Sequence, residues 1–192
     1  QVAHESTDGW NNAGTGHAAY CELNYTPEES KGTVNISKAL DINASFEVTL
    51  QFWSHLVKTG ALPEPSKFIN RTPHKSFVWG KKNVEFLRQR YELMSAHHLF
   101  EGMEYSEDPA KLSEWMPLVM AERKGKDPVA ATNVQHGSDV DFGSLARNMV
   151  SHLQTQDNFE LLLGHSVEDM KRSSAGGWSV LLEDNKSGEI TR

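Results

Sequence analysis

Cysteine, long apolar runs and positive charge are all scarce in this sequence of 192 residues. The single cysteine, Cys21, excludes an internal disulfide and a zinc site built from cysteines alone. The longest uninterrupted apolar runs, 18–21 and 118–121, have four residues, whereas a membrane-spanning helix needs roughly 20. Nineteen basic and 26 acidic residues give a net charge of −7. The sequence therefore lacks the basic surface with which proteins bind nucleic acid.

Apolar residues nevertheless make up 38% of the chain, which is enough for a buried core. The length predicts one domain. Helical and extended patterns alternate without the regular strand–helix–strand order of a parallel sheet. We therefore predict an α+β protein in which helices pack on a mixed or antiparallel sheet.

Apolar spacing and helix-capping residues predict the main elements. A long helix is expected from about Ser37 to Thr59, and a second helix is expected from an N-cap at Asn83. Asp108 is expected to cap a third helix, and Asp141 or Ser144 a fourth. Strands are predicted at 67–79 with a break at a proline, 102–105, 129–134, 159–163, 167–172 and 178–183. We expect the last strands to form an antiparallel sheet backed by the long helices.

One glycine motif suggests a cofactor loop. Residues 14–19 (GTGHAA) fit the G-x-G-x-x-G/A pattern of dinucleotide-binding proteins. That pattern requires a strand before it and a helix after it, and the preceding residues 8–13 are turn-like. A small-residue loop leading into a helix would still let backbone N–H groups approach a phosphate or a ring. A plain helix-initiating turn would have the same sequence.

Few side chains suggest chemistry on their own. Arg71, His74 and Ser76 form a cluster able to bind an anion and to move a proton, although solvated residues of an edge strand would have the same sequence. His17 and Cys21 are spaced to share a helix face, but no spacing provides two further ligands, so no metal site is predicted. Cys21 itself is expected to be a buried small apolar residue.

Several long segments resemble one family. They are STDGWNNAGTGH with CELNYTP, SKALDINASFEVTLQFWSHLV, FINRTPHKSFVWGKKNVEFLRQRY, LFEGMEYSEDPAKLSEWMPLVM and VAATNVQHGSDVDFG. Through these segments the sequence resembles the FAD-dependent malate:quinone oxidoreductases over residues 1 to about 172.

The resemblance implies a particular fold and domain organisation. The chain would be an internal fragment of a two-domain FAD-binding flavoenzyme, similar in fold to glutathione reductase or D-amino-acid oxidase. Family members have a strand and a genuine glycine-rich fingerprint before the segment that starts here, and further FAD-binding and substrate segments after it. Residues 1–30 would be a flavin-contacting loop and a helix start, 31–140 the substrate-side region, and 141–192 a helix and antiparallel strands returning to the FAD-binding region.

The resemblance also implies a chemistry: hydride transfer from malate to FAD, followed by electron transfer to a membrane quinone. The implied cofactor contacts are Asn11, Asn12, Ala13, Gly14, Thr15, Gly16, His17 and the backbone of Val167. His74 is the candidate for proton transfer. Arg71 and Ser76 are the candidates for substrate binding, since a guanidinium can bind a carboxylate with two hydrogen bonds.

The same resemblance implies a cytoplasmic location, peripheral on the inner face of the bacterial cytoplasmic membrane. We expect the isolated chain neither to retain FAD nor to oxidise malate, because the usual pyrophosphate anchor lies outside it. Two alternatives stay open. One is a related FAD-dependent oxidoreductase of another 2-hydroxy acid or an amino acid, and the other is a non-catalytic α+β binding module.

Overall fold

The computed structural model describes residues 1–29 and 32–192. Its α-helices are Ser37–Lys58 (α1), Lys81–Ser95 (α2), Pro109–Trp115 (α3), Pro117–Met120 (α4) and Phe142–Leu153 (α5). Its strands are Ile69–Arg71 (β1), His74–Trp79 (β2), Glu104–Ser106 (β3), Val129–Val134 (β4), Ser138–Val140 (β5), His165–Arg172 (β6), Trp178–Asp184 (β7) and Ile190–Thr191 (β8). The α+β class is confirmed. The boundary expected between residues 30 and 31 lies outside the described residues.

Three small antiparallel sheets organise the described residues. Their strand orders are β1-β5, β2-β4-β3 and β6-β7-β8. Every residue of β4 is buried, because α2 packs through Val84 and Leu87 on one face of this sheet and α3 through Leu112 and Trp115 on the other. The break at Pro73 between β1 and β2 is confirmed and follows from the amide hydrogen that proline lacks.

The helix ends follow local capping chemistry in most places. Helix α1 has the expected bounds within one residue. Asp108 caps α3 by accepting a hydrogen bond from the Ala110 amide. The N-cap predicted at Asn83 is wrong, because α2 begins after Gly80, whose φ is +86°. Asn83 lies inside the helix, and its side chain donates to the carbonyl oxygen of Trp79.

The C-terminal part differs from expectation in two ways. The strand predicted at 159–163 is wrong, because these residues form no strand and both edges of β7 are already paired, with β6 and with β8. The last strands do form an antiparallel sheet. The expectation that helices back this sheet is wrong: no residue from 154 to 192 is buried, since the apolar faces of α2 and α3 pack on the sheet of β2, β4 and β3. No helix among the described residues has the length and apolar character needed to cross a membrane.

A buried arginine joins α2 to the N-terminal segment. Arg90 is fully buried. Its Nη2 donates to the carbonyl oxygens of Ala19 and Tyr20, at 3.0 and 3.1 Å, and its Nε donates to the hydroxyl of Thr26 at 3.1 Å. Burial lowers the pKa of Arg90 to about 10, so the side chain is still charged at neutral pH. One guanidinium therefore provides three of the hydrogen bonds that hold residues 19–26 on the core.

We expect the substitution Arg90→Met to lower the free energy of unfolding by about 3 kcal/mol, because three buried acceptors lose their donor. Urea unfolding followed by circular dichroism measures this change. The matched control is Arg88→Met on the same helix. Arg88 pairs with Glu85 and Glu107 at the surface, so its loss should cost less than about 1 kcal/mol. Equal effects of the two substitutions would contradict the role assigned to Arg90.

Candidate functional site

A cavity of about 530 Å³ lies between the N-terminal loop and the start of α5. The loop wall consists of Thr7, Asp8, Gly9, Trp10, Asn12, Ala13 and Gly14. The opposite wall consists of Asp139, Val140, Asp141, Phe142 and Arg147. Part of the loop predicted to contact a cofactor thus borders a space in which a ligand could bind.

Asparagine side chains shape the loop. Nδ2 of Asn11 donates to the Glu5 carbonyl at 3.0 Å, and Nδ2 of Asn12 donates to the Ser6 carbonyl at 3.2 Å. The Asn12 side-chain oxygen accepts a hydrogen bond from the Gly14 amide at 2.7 Å. The two side chains therefore stabilise the local turn conformation.

The glycine segment continues as extended chain beside β5. The Val140 amide donates to the Gly14 carbonyl at 2.6 Å, and the Gly16 amide donates to the Ser138 carbonyl at 2.9 Å. Thr15 forms an isolated antiparallel bridge with Asp139. Residues 14–22 contain no helix, and a short 3-10 turn follows at Leu23–Tyr25. The described residues 1–29 therefore contain no α-helix, in contrast to the helix start expected within residues 1–30, and residues 17 and 21 do not share a helix face.

Both glycines of the motif are required by protein packing. Gly14 has φ of +69°, and a Cβ there would lie 2.5 Å from Oδ1 of Asp139. A Cβ on Gly16 would collide with Oγ of Ser138 and would lie 3.0 Å from Cζ of Phe46. The close approach that a glycine permits is thus made here to β5 and α1.

The charges around the cavity are mostly negative. Asp141 caps α5 by accepting from the amide and hydroxyl of Ser144, at 2.8 and 2.6 Å. These hydrogen bonds hold the pKa of Asp141 below its usual value, so it is ionised at neutral pH. Asp8 and Asp139 add two more carboxyl groups, against the single guanidinium of Arg147. Such a lining suits hydroxyl and N–H donors better than a phosphate.

The predicted catalytic residues are partly brought together. His74 is 8% exposed, and its Nε2 lies 3.0 Å from the Ser138 carbonyl. Because a carbonyl oxygen only accepts, Nε2 carries the proton, and the buried Nδ1 has no hydrogen-bond partner among the described residues. Ser76, two residues along β2, donates to the Cys21 carbonyl at 2.8 Å. Arg71 is exposed on β1, opposite Ser138.

The other residues singled out from the sequence lie elsewhere. Val167 is on β6 opposite Leu182, and its role as a cofactor contact stays a prediction. Cys21 is partly buried, and burial together with the Glu22 carboxylate raises the pKa of its thiol to about 11, which makes it a poor nucleophile. Nδ1 of His17 lies 3.2 Å from a carboxylate oxygen of Glu22. In the part of the chain that the structure describes, no three His, Cys, Asp or Glu residues form a group that could hold a metal ion.

The sequence did not predict one wall of the first cavity or the lining of a second cavity. Asp139, Asp141 and Arg147 face the first cavity, as described above. A second cavity of about 400 Å³ is lined by Tyr20, Glu47, His98, Leu99, Glu101, Gly102 and His136. The ring of Tyr20 there makes edge contacts with both His74 and His136, with centroids 6.0 and 5.2 Å apart. The only sequence signal was the segment VAATNVQHGSDVDFG, which carries His136, Asp139 and Asp141 but gives no spacing that predicts their neighbours.

Comparison with known proteins decides the family. The family model described as malate:quinone oxidoreductase matches residues 1–192. The chain belongs to this family. Proteins named "Probable malate:quinone oxidoreductase" from Hahella chejuensis and Methylobacillus flagellatus are 63% identical over 187 residues and 60% identical over 189 residues. A protein of the same name from Bordetella avium is 51% identical over 185 residues.

These relatives of the malate:quinone oxidoreductase family are much longer than the chain. The alignments cover 97%, 98% and 96% of the chain, but 38%, 38% and 37% of the relatives from H. chejuensis, M. flagellatus and B. avium. The chain thus spans a little over a third of the length of the curated relatives it matches. The family resemblance stated from the sequence is confirmed.

We expect Gly16→Ala to destabilise the chain by about 2 kcal/mol, because the new methyl group must displace Ser138 or Phe46. Urea unfolding measures the change. Gly9→Ala is the matched control, because a Cβ there meets nothing within 4 Å, and it should alter stability by less than about 0.5 kcal/mol. If Gly16→Ala left the free energy of unfolding unchanged, the packing of residue 16 against β5 would have room for a methyl group.

Proposed function

We propose that this chain is part of a longer flavoenzyme that oxidises (S)-malate to oxaloacetate, with FAD as hydride acceptor and a membrane quinone as electron acceptor. The observation that carries the proposal is the match of all 192 residues to the malate:quinone oxidoreductase family. The identity of 63% to a relative bearing that name supports the same substrates. Residues 1–192 would contribute one wall of the cofactor site and part of the substrate side.

The cavity beside residues 7–14 is the proposed FAD contact. When bound, FAD would accept the hydride from malate. The carboxylates of Asp8, Asp139 and Asp141 suit the hydroxyl groups and ring N–H of the cofactor and oppose its pyrophosphate. The segment 11–17, expected to run beside flavin and pyrophosphate, would therefore contact the uncharged part of FAD. The pyrophosphate would bind to another part of the full-length protein.

His74 is the proposed proton acceptor. Its Nε2 is fixed by the Ser138 carbonyl, which leaves the lone pair of Nδ1 without a hydrogen-bond partner among residues 1–29 and 32–192. A base needs such a lone pair to remove the proton of the malate hydroxyl. The exposed guanidinium of Arg71 would bind a malate carboxylate. The hydroxyl of Ser76 donates to Cys21, but it can still accept a hydrogen bond from substrate.

We further propose that the full-length enzyme has the two-domain fold of glutathione reductase or D-amino-acid oxidase. The antiparallel pairing of the C-terminal strands supports their assignment to the FAD-binding region. Because its electron acceptor would be a lipid-soluble quinone, the enzyme would bind peripherally to the inner face of the bacterial cytoplasmic membrane, from the cytoplasm.

The function is tested on the purified full-length protein and on the 192-residue chain. We expect the full-length protein to show a flavin absorption spectrum and to reduce a soluble quinone analogue when malate is added. The chain alone should do neither, because the proposed pyrophosphate site is outside it. Turnover of another 2-hydroxy acid or an amino acid instead of malate would favour a related oxidoreductase. A full-length protein that shows neither flavin absorption nor turnover would favour the non-catalytic binding module.

The role of His74 is tested by His74→Gln in the full-length protein. Glutamine can still donate to the Ser138 carbonyl but cannot take a proton, so kcat should fall by about 10²- to 10⁴-fold while flavin content stays normal. The pH dependence of the remaining activity should also change. His55→Gln, at an exposed position of α1, is the control and should leave both quantities unchanged. Normal malate turnover in His74→Gln would assign the base to another residue.

A further inference from the structure

The C-terminal sheet has one mainly apolar face and one mainly polar face. Directly opposite residues of an antiparallel pair lie on the same face, and residues alternate along a strand. In β6 this alternation shifts by one residue at a bulge between Val167 and Asp169. The register places Met170 opposite Val180, Val167 opposite Leu182 and Arg172 opposite Trp178. The face called here the apolar hairpin face therefore has Val167, Met170, Trp178, Val180 and Leu182 at its centre, with Arg172 at one end and the His165–Asp184 pair at the other. The polar face carries Asp169, Lys171, Ser179 and Glu183, with a 2.7 Å ion pair between Lys171 and Asp169 and one apolar residue, Leu181, opposite Asp169.

The apolar hairpin face is largely open to solvent. Val167, Met170 and Trp178 are 58%, 54% and 62% exposed, and Val180 and Leu182 are only half-buried. A small sheet without a covered apolar face is marginally stable. Contiguous exposed apolar surface of this kind marks an interaction site.

We propose that the apolar hairpin face is an intramolecular docking surface, covered in the full-length protein by polypeptide outside residues 1–192. The proposal rests on the length of the family members and not on the proposed reaction. The chain spans 38% of its relatives from H. chejuensis and M. flagellatus, so more than half of each relative is available to form the covering layer. A domain buries a sheet face against another layer of strands or helices.

The charge of the hairpin argues against a lipid surface as the occupant. Residues 165–192 contain five acidic and four basic side chains, which gives a net charge of −1. Anionic membranes attract clusters of lysine and arginine, and the sequence of this segment has none. A covering layer of polypeptide needs no cluster of basic residues on the hairpin, only apolar side chains that pack on its apolar face.

The test uses two neighbouring positions on opposite faces, Met170→Cys and Lys171→Cys, in the full-length protein with Cys21→Ala. Alkylation by iodoacetamide is followed by mass spectrometry of the peptide that contains the new cysteine, and each rate is compared with the rate in urea. We expect Met170→Cys to react at least about 100-fold more slowly in the native protein than in urea, whereas Lys171→Cys should differ by less than about tenfold. The side chain of Lys171 is 68% exposed.

Three results would overturn the proposal. The first is a native Met170→Cys protein that reacts within about tenfold of its rate in urea. The second is protection that grows with protein concentration, which would identify a second copy as the occupant. The third is protection that requires vesicles of anionic phospholipid, which would identify a membrane. None of these readouts involves malate turnover, so a failure here is distinct from a failure of the proposed function.

Hydroxyl-radical footprinting of the unsubstituted protein provides a second measurement if Met170→Cys does not fold. Methionine and tryptophan are readily oxidised when solvent reaches them. We expect Met170 and Trp178 to be protected in the native full-length protein relative to the same protein in urea. Equal oxidation in the two conditions would again overturn the proposal.

Discussion

The carbonyl oxygen of Ser138 connects the parts of the candidate site. It accepts a hydrogen bond from the Gly16 amide at 2.9 Å and lies 3.0 Å from Nε2 of His74. Ser138 also pairs with Arg71 across the β1–β5 ladder. One backbone position thus sets the distance between the proposed cofactor loop, the proposed base and the proposed carboxylate-binding residue. Backbone pairing and the hydrogen bond of His74 thus position the loop and the imidazole, whereas the side chain of Arg71 is exposed beyond its paired backbone.

Local sequence rules predicted the elements that depend on local chemistry. The bounds of α1, the cap at Asp108 and the break at Pro73 need only neighbouring residues, and the structure has them as expected. The packing of the glycine motif could not be predicted, because the residues that Gly16 contacts, Ser138 and Phe46, are 122 and 30 residues away in sequence. The same holds for Arg90, whose burial depends on three acceptors between residues 19 and 26. No periodicity reports such contacts.

The charge of the first cavity limits which part of the proposed cofactor this chain would contact. A site for the whole of FAD would need donors for two phosphates, and the cavity has one arginine against three carboxyl groups. The carboxylate of Asp141 is moreover committed to the N-terminus of α5, where it occupies the amide that an anion would otherwise use. The negative wall therefore fits a division in which this chain contacts the uncharged part of the cofactor. Under that proposal, the anchor for the phosphates would lie in the larger part of the relatives' length, which the chain does not cover.

The core and the C-terminal hairpin differ in how many buried residues stabilise them. Among the residues that the structure describes, all buried ones lie between 16 and 145, where four clusters of apolar side chains form the core. The hairpin of β6 and β7 has no buried residue, and its order would depend on a covering layer. A segment with so few buried contacts opens at low free energy. Val167, the predicted cofactor contact that lies outside residues 11–17, is on this hairpin and belongs to its apolar face. Covering that face would therefore stabilise the strand and hold the Val167 backbone in place, so that cofactor binding and docking of the hairpin would depend on the same contacts.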